Sequence, residues 1–359
     1  MRRTIIAALL LGMLLSGCVQ TDSDTSRTDT ATSAVHETTV LPEAAEKYSR
    51  VVFAMDTVME LTVYAGDDAI LDEAAQRIAD LENKLSVTLE SSEIHTLNST
   101  GTAHLSDDTA GLLNEALTLC ESTEGALDIT VYPVVRAWGF TTGEYRIPAA
   151  DELDALLETV DYSAITLNGS SVSVPDGVQV DLGSAAKGYT GDVLCELLRE
   201  NGVTSALLNL GGNVQAVGSK PDGTPWKIAV QHPTDSGSYL GALTLTDKAA
   251  ITSGGYERYF TGEDGERYWH IIDPATGRPA DNGILSVTIV GESGLLCDAM
   301  STALFVMGLD RAAEYWRTHE GFDAIIAMDD GSVYITEGLT DSFTLMADAG
   351  EGKLTVIER

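Results

Sequence analysis

One stretch limits what this chain can fold into more than any other: Val180 to Asp192, reading VDLGSAAKGYTGD. It places a carboxylate (Asp181), flexible backbone (Gly183, Gly188) and a lone cation (Lys187) ahead of an amphipathic run. In that run Val193, Leu194, Leu197 and Leu198 keep helical spacing. The order predicts a strand, a loop that lets a bound group come close, and a helix N-terminus suited to a phosphate-bearing ligand. Plain chain reversal into a helix would use the same residues. What weights the ligand reading is the set of later stretches that would partner this one.

The N-terminus has a different character. Arg2 and Arg3 precede an apolar run from Ile5 to Leu15, and Leu15-Ser16-Gly17-Cys18 then reads as a lipobox closing a secretory signal. About a dozen apolar residues are too few for a permanent membrane span. The expected organisation is a signal peptide over 1–17, a lipidated Cys18 opening a disordered tether over 18–47, and a catalytic domain over 48–359. The tether is rich in Thr, Ser, Asp and Ala without apolar periodicity, so it cannot bury enough surface to offset its ordering entropy. The expected location is the extracytoplasmic face of a bacterial membrane, held by the lipid anchor.

Beyond residue 48 the composition is that of a soluble globular domain with a sizeable core, in a chain of 359 residues with 44% hydrophobic and 6% aromatic residues. The formal charge of −34 becomes −36 once Arg2 and Arg3 leave with the signal, which excludes nucleic acid as a partner. An anionic cofactor remains compatible, provided that a local cation such as Lys187 or a divalent metal receives it. Cys120, Cys195 and Cys297 lack CxxC spacing, which indicates neither a zinc site nor a disulfide framework. One bridged pair and buried thiols both stay open.

Along the chain, Arg50–Phe53 and Val58–Val63 read as strands separated by Met55-Asp56-Thr57, where a thioether could lie along an aromatic ring. Helices follow from Asp67 to Leu85 and from Thr109 to Glu121, the latter closed by Gly125. Asp128 then precedes a strand-like Ile129–Tyr132 stopped by Pro133, either capping a turn or meeting a ligand. Val178–Leu182 and Ala206–Leu210 read as strands, the second running into Gly211-Gly212-Asn213. Val214–Gly218, Trp226–Val230 and Leu240–Leu245 are expected to extend one antiparallel sheet. Ile251-Thr252-Ser253-Gly254-Gly255-Tyr256-Glu257 repeats the order of strand, hydroxyls and glycines, and His270 sits in a strand leading to an Asp273-Pro274 turn. On a helix from Leu295 to Met307, Asp298 and Thr302 are four residues apart, so carboxylate and hydroxyl share a face in a pattern that suits Mg²⁺. A carboxylate near a helix start and a Thr bonded to backbone would look the same in sequence.

Taken in order, MDT, GALD, DLGSAAKGY, LNLGGN, ITSGGYERY, HIIDPATGRP and DAMSTAL resemble the ApbE family of FAD:protein FMN transferases, from about Tyr48 to Phe343. The resemblance implies an α+β fold of two subdomains, tunnelling-fold-like, with mixed and antiparallel sheets flanked by helices and FAD in the cleft between the halves. It also implies Mg²⁺-dependent transfer of FMN from FAD to a Thr or Ser of an extracytoplasmic redox protein, such as a subunit of a membrane oxidoreductase, with release of AMP. By motif, Met55 would contact the flavin, Ala126, Leu127 and Asp128 would line the adenosine side, and Asp181, Lys187 and Ile272 would hold FAD. The metal would sit among the main-chain oxygen of Ser184, Asp298 and Thr302; His270 or Asp298 would handle the proton. Leu127 stands where many members have Phe, and Asp56 where many have Gly. An FAD-carrying lipoprotein and a metal-dependent FAD pyrophosphatase are the competing readings.

Overall fold

The computed structural model describes residues 46–65, 67–346 and 353–359. The lipobox, Cys18 and the tether up to residue 45 lie outside the described residues. Glu46 and Lys47, assigned to the tether by sequence, are already paired with Ala65 and Tyr64 in the first strand.

A nine-stranded sheet is built in chain order from β1 (Glu46–Ala54), β2 (Thr57–Ala65), β3 (Ala206–Leu210), β4 (Asn213–Val217), β5 (Ala249–Gly254), β6 (Ile284–Gly291), β7 (Phe322–Met328), β8 (Val333–Thr336) and β9 (Leu354–Ile357). Neighbours are antiparallel except the parallel pair β8–β9. The central strands are apolar on both faces because both faces are covered. Ala249, Ile251, Val287, Ile289, Ala324 and Ile326 face a helical core, while the alternate residues Ala250, Val290, Ile325 and Ala327 face a second one. That second core is closed by a separate three-stranded sheet of Trp226–Gln231, Tyr239–Leu245 and Phe343–Leu345. The first two of these strands were expected to extend the main sheet; they pair with each other because Trp226, Ile228, Leu243 and Leu245 need a partner face, which the back of the main sheet supplies.

The helical side carries α1 (Ala69–Leu85), α2 (Glu93–Thr100), α3 (Asp107–Ser122), α4 (Tyr132–Ala137), α5 (Ala150–Leu157), α6 (Ala186–Glu200), α7 (Gly294–Met307) and α8 (Leu309–Thr318). Its core divides in two. Strands β1–β4 pack with α1 and α6 through Met59, Leu61, Ile78, Leu194 and Leu208, and strands β5–β7 pack with α3, α7 and α8 through Leu112, Ile289, Leu304 and Trp316. The α+β architecture with helix-flanked sheets stands as expected, its two parts sharing one continuous sheet. Asp108 on α3 binds Arg77 and Lys84 of α1 at 2.7 and 2.6 Å, and its carboxyl is held down at about 2, first by the Arg77 hydrogen bond. The Tyr189 hydroxyl of α6 reaches the same carboxylate.

Two strand expectations fail, each for a local reason. Ile129–Tyr132 is a turn into α4, because Asp128 Oδ1 accepts from Thr130 N and Thr130 Oγ1 at 2.8 and 2.6 Å and Pro133 sits in the first turn of the helix. Val178–Leu182 lies outside any sheet: Asn98 clamps Val180 by donating to its carbonyl at 2.8 Å and accepting from its N–H at 2.7 Å, replacing the ladder a strand partner would give. Asp181 N then donates to Ile129 O.

Candidate functional site

The first turn of α6 and the start of α7 meet through glycine. A Cβ built on Gly188 would lie 2.1 Å from the Gly294 carbonyl oxygen and 2.7 Å from Asp298 Cβ, so only glycine lets these two helices touch at this point. The sequence reading gave Gly188 the task of admitting a ligand; the structure shows it admitting a helix. The contact is sealed by two carboxylates working in opposite directions. Asp298 Oδ2 on α7 accepts from Gly188 N, a first-turn amide that α6 does not itself use, at 2.8 Å. Asp192 on α6 accepts from Gly294 N and Leu295 N at 2.6 and 2.9 Å and from Ser293 Oγ at 3.3 Å, capping the start of α7. Each helix thus carries the anion that neutralises the positive end of the other. Gln215 of β4 completes the joint by donating to Gly188 O at 2.8 Å.

Asp192 was not singled out as functional from sequence, and no local signal marks it, since its partners lie about a hundred residues away. Asp192→Ala is expected to cost about 1–2 kcal/mol by uncapping α7. The check is chemical denaturation, with Asp192→Asn recovering part of the loss through its amide oxygen.

Around this joint the structure gathers four of the residues expected from sequence. Asp298 is 4% exposed, and Lys187 Nζ stands 3.9 Å from its Oδ1. Thr302, one turn along α7, touches Ser253 Oγ of β5 at 3.2 Å. Met55 reaches the same helix start, its Sδ 3.7 Å from Thr190 Oγ1 and its N–H donating to Glu82 at 2.6 Å. Met55 and Asp56 occupy the two-residue β1–β2 turn with φ of 50° and 61°, the left-handed region where glycine costs least. Asp56 takes this conformation without being glycine. Asp56 in turn meets Arg258 at 3.4 Å.

Asp181 holds Gly183 N at 2.8 Å, and burial raises its carboxyl against the lowering influence of that amide, Arg258 and Lys187. Ser184 lies in the turn between Asp181 and Lys187. His270 sits in a bend just after the short strand Arg267–Trp269 rather than within a strand. Its Nδ1 lies 3.3 Å from Arg258 O. A carbonyl can only accept, so Nδ1 carries the proton and Nε2 keeps a free lone pair. Desolvation, then Arg258, pulls the imidazole down to about 4. A site that holds this ring neutral loses stability as pH falls from about 6.5 to about 4, where the unfolded chain binds a proton and the folded one refuses it. His270→Gln is expected to flatten the pH dependence of unfolding over that window; an unchanged slope in urea titrations at stepped pH would place the imidazole in water.

The remaining expected residues stand elsewhere. Asp128 spends both carboxylate oxygens on Thr130 and on Tyr162 N at 3.2 Å. Ala126 and Leu127 are buried beside it, at 7% and 2% exposure, in the core below α3. Ile272 packs with Val134, Trp138, Phe140 and Leu153, and the Phe140 and His270 rings meet edge to face with centroids 6.3 Å apart. The Asp273 carboxylate holds Ala275 N and Thr276 Oγ1, as the Asp-Pro turn predicts. Asn213, quoted from sequence for its directional amide, is 3% exposed, and its Nδ2 is without a partner among the described residues. Cys120, Cys195 and Cys297 are free and buried.

Glu257 and Arg258 carry charge into the site although the sequence reading assigned them no role. Glu257 is exposed, yet the protein around its carboxyl desolvates it enough to push it up to about 7 against the pull of Lys187, with Asp298 adding to the rise. Both belong to the ITSGGYERY motif, directly after its glycines.

The donor chemistry fits a hard divalent cation. Asp298 Oδ2 is committed to Gly188 N, while Oδ1 is beyond hydrogen-bond distance of Lys187 and shares its helix face with the Thr302 hydroxyl. Among the described residues no group of three or more His, Cys, Asp or Glu side chains converges. One carboxylate and a hydroxyl on one helix face suit Mg²⁺, which keeps waters and substrate phosphate in its shell.

Comparison with known proteins decides what this geometry belongs to. The sequence model of the ApbE family matches residues 55–326. The chain belongs to the ApbE family. Its relatives include the FAD:protein FMN transferase of Vibrio cholerae, 35% identical over 69% of this chain and 76% of that one. That of Klebsiella pneumoniae is 30% identical over 80% and 92%. The crystal structure of the ApbE protein from Thermotoga maritima superposes with a TM-score of 0.77 at 31% identity, covering 82% of this chain and 98% of its own. The flavin transferase ApbE from Vibrio cholerae does so with 0.72 at 29%, over 84% and 97%. In this ApbE-family chain the α6–α7 joint falls inside the matched region, as do Met55, Lys187, His270 and Asp298.

Proposed function

We propose that this protein is an FAD:protein FMN transferase that splits the FAD pyrophosphate and joins FMN to a Thr or Ser hydroxyl of an extracytoplasmic redox protein. The observation that carries the reading is the approach of Lys187 to Asp298, whose carboxylate shares a helix face with Thr302: a lysine able to receive phosphate stands beside an oxygen-only cation site. The family's named activity supports it. In the reaction the acceptor oxygen forms a bond to the FMN phosphorus, the bond from that phosphorus to the bridging oxygen breaks, and AMP leaves with the electron pair. Lys187 holds the pyrophosphate and offsets its charge. His270, neutral with Nε2 free, takes the hydroxyl proton; Asp298 already bonds an amide and serves as a ligand. Mg²⁺ bound by Asp298, Thr302 and the Ser184 carbonyl would neutralise the charge that gathers on the transferring phosphoryl group.

The lipobox ending in Cys18 supports attachment to the outer face of a bacterial membrane, where the acceptor would be met. Incubating the chain with FAD, Mg²⁺ and an acceptor domain bearing an exposed Thr is expected to leave covalent flavin fluorescence on the acceptor in a denaturing gel, with one AMP per flavin. Intact FAD retained indefinitely would indicate a carrier. Free FMN and AMP would indicate a pyrophosphatase.

A further inference from the structure

Behind Thr302 the structure holds a short chain of hydroxyls whose proton order is fixed by its last member. Ser301 Oγ, fully buried, donates to the Asp298 carbonyl at 2.7 Å. A carbonyl has no proton to give, so the single Ser301 proton is committed there. Ser253 Oγ lies 2.7 Å from Ser301 Oγ, and this contact is a hydrogen bond only if Ser253 donates. That uses the single Ser253 proton, and the remaining contact at 3.2 Å then requires Thr302 to donate to Ser253. Thr302 Oγ1 is left with lone pairs alone to offer on its other side.

We infer that Ser253 of β5 is a positioning residue: through Ser301 and the Asp298 carbonyl it fixes the Thr302 hydroxyl as an obligate lone-pair donor to the divalent cation. The inference rests on the cation site of the proposed function. The same helix turn supplies both ends of the relay, because Asp298 offers its carboxylate to the cation and its carbonyl to Ser301. Without Ser253 the Thr302 proton is free to turn toward the cation, where a hydroxyl hydrogen meets like charge. Partners that orient a ligand in this way are typically worth about 10–100-fold in metal affinity.

The test is Mn²⁺ binding to the whole chain, read from the electron paramagnetic resonance signal of the free ion, alongside the Mg²⁺ dependence of flavin transfer. Ser253→Ala is expected to weaken Mn²⁺ binding about tenfold and to raise the half-saturating Mg²⁺ by a similar factor. Its rate at saturating metal and its FAD affinity without metal are expected to stay near those of the parent, and Ser253→Thr to restore binding. Ser301→Ala, which removes the acceptor but leaves the Ser253 oxygen, is expected to fall between the two. Unchanged Mn²⁺ binding in a Ser253→Ala protein that melts normally, or no Mn²⁺ binding by the parent chain, would overturn the relay. A parent chain that binds Mn²⁺ with the predicted sensitivity yet transfers no flavin would leave the relay standing and remove the transferase reading.

Discussion

Gly188→Ala is expected to disable the protein, although it adds one methyl group and replaces a poor helix former by the best one. In an isolated helix the change would gain about 1 kcal/mol. Here the added carbon would sit 2.1 Å from Gly294 O and 2.6 Å from Gly294 C. Both are backbone, so no side chain can swing aside, and α6 must back away from α7. Overpacking of this kind costs about 1–3 kcal/mol even where side chains can adjust, and a backbone collision belongs at or above the upper end. The retreat would stretch the Gly188–Asp298 and Gln215–Gly188 bonds together. A misplacement of about 1 Å is worth about a hundredfold in rate when catalysis depends on positioning. Differential scanning calorimetry should show a midpoint lowered by several degrees and the transfer assay a near-complete loss. Gly111→Ala is the control: this glycine lies in α3 with nothing within 4 Å of its would-be Cβ, and the change is expected to stabilise by about 0.5–1 kcal/mol. Similar behaviour of the two variants would mean that α6 and α7 do not pack as closely as described.

Asp298→Asn separates the two roles of one carboxylate. The amide keeps an oxygen for the Gly188 N–H, so the joint should survive with a loss of about 1 kcal/mol. What disappears is the negative charge, the only carboxylate in the proposed cation site. Transfer is expected to fall by at least a hundredfold, because the charge matters most where phosphoryl charge develops, while FAD binding by Lys187 and the helix start should weaken by less than tenfold. Fluorescence titration of FAD beside a transfer time course reads both quantities. Equal losses in the two would place Asp298 in FAD binding alone.

These two residues also show what the sequence could and could not disclose. The near-continuous apolar runs of β6 and β7 mark strands buried on both faces, and the helical spacing of apolar residues in α1 and α6 marks their inner surfaces; both patterns are local and survive folding. Val178–Leu182 carries an equally good strand pattern, yet its hydrogen bonds come from Asn98, a side chain 82 positions away. Asp192 and Gly188 are in the same position, since the amides and carbonyl that give them meaning belong to Gly294 and Leu295. That Asp298 and Thr302 share one face of α7 was legible because a spacing of four residues is a property of the sequence itself. Ser253 was not, because a hydroxyl acquires direction only from what it touches.

The account as a whole stands on Lys187 and the Asp298–Thr302 face serving one bound dinucleotide. Anomalous scattering from Mn²⁺ in crystals of the chain soaked with FAD tests this most directly. The expected result is a single strong peak within ligand distance of Asp298 Oδ1, Thr302 Oγ1 and the Ser184 carbonyl, with the pyrophosphate lying between that ion and Lys187 Nζ at the start of α6. Density for FAD away from α6, or an ion bound where neither Asp298 nor Thr302 reaches it, would contradict it.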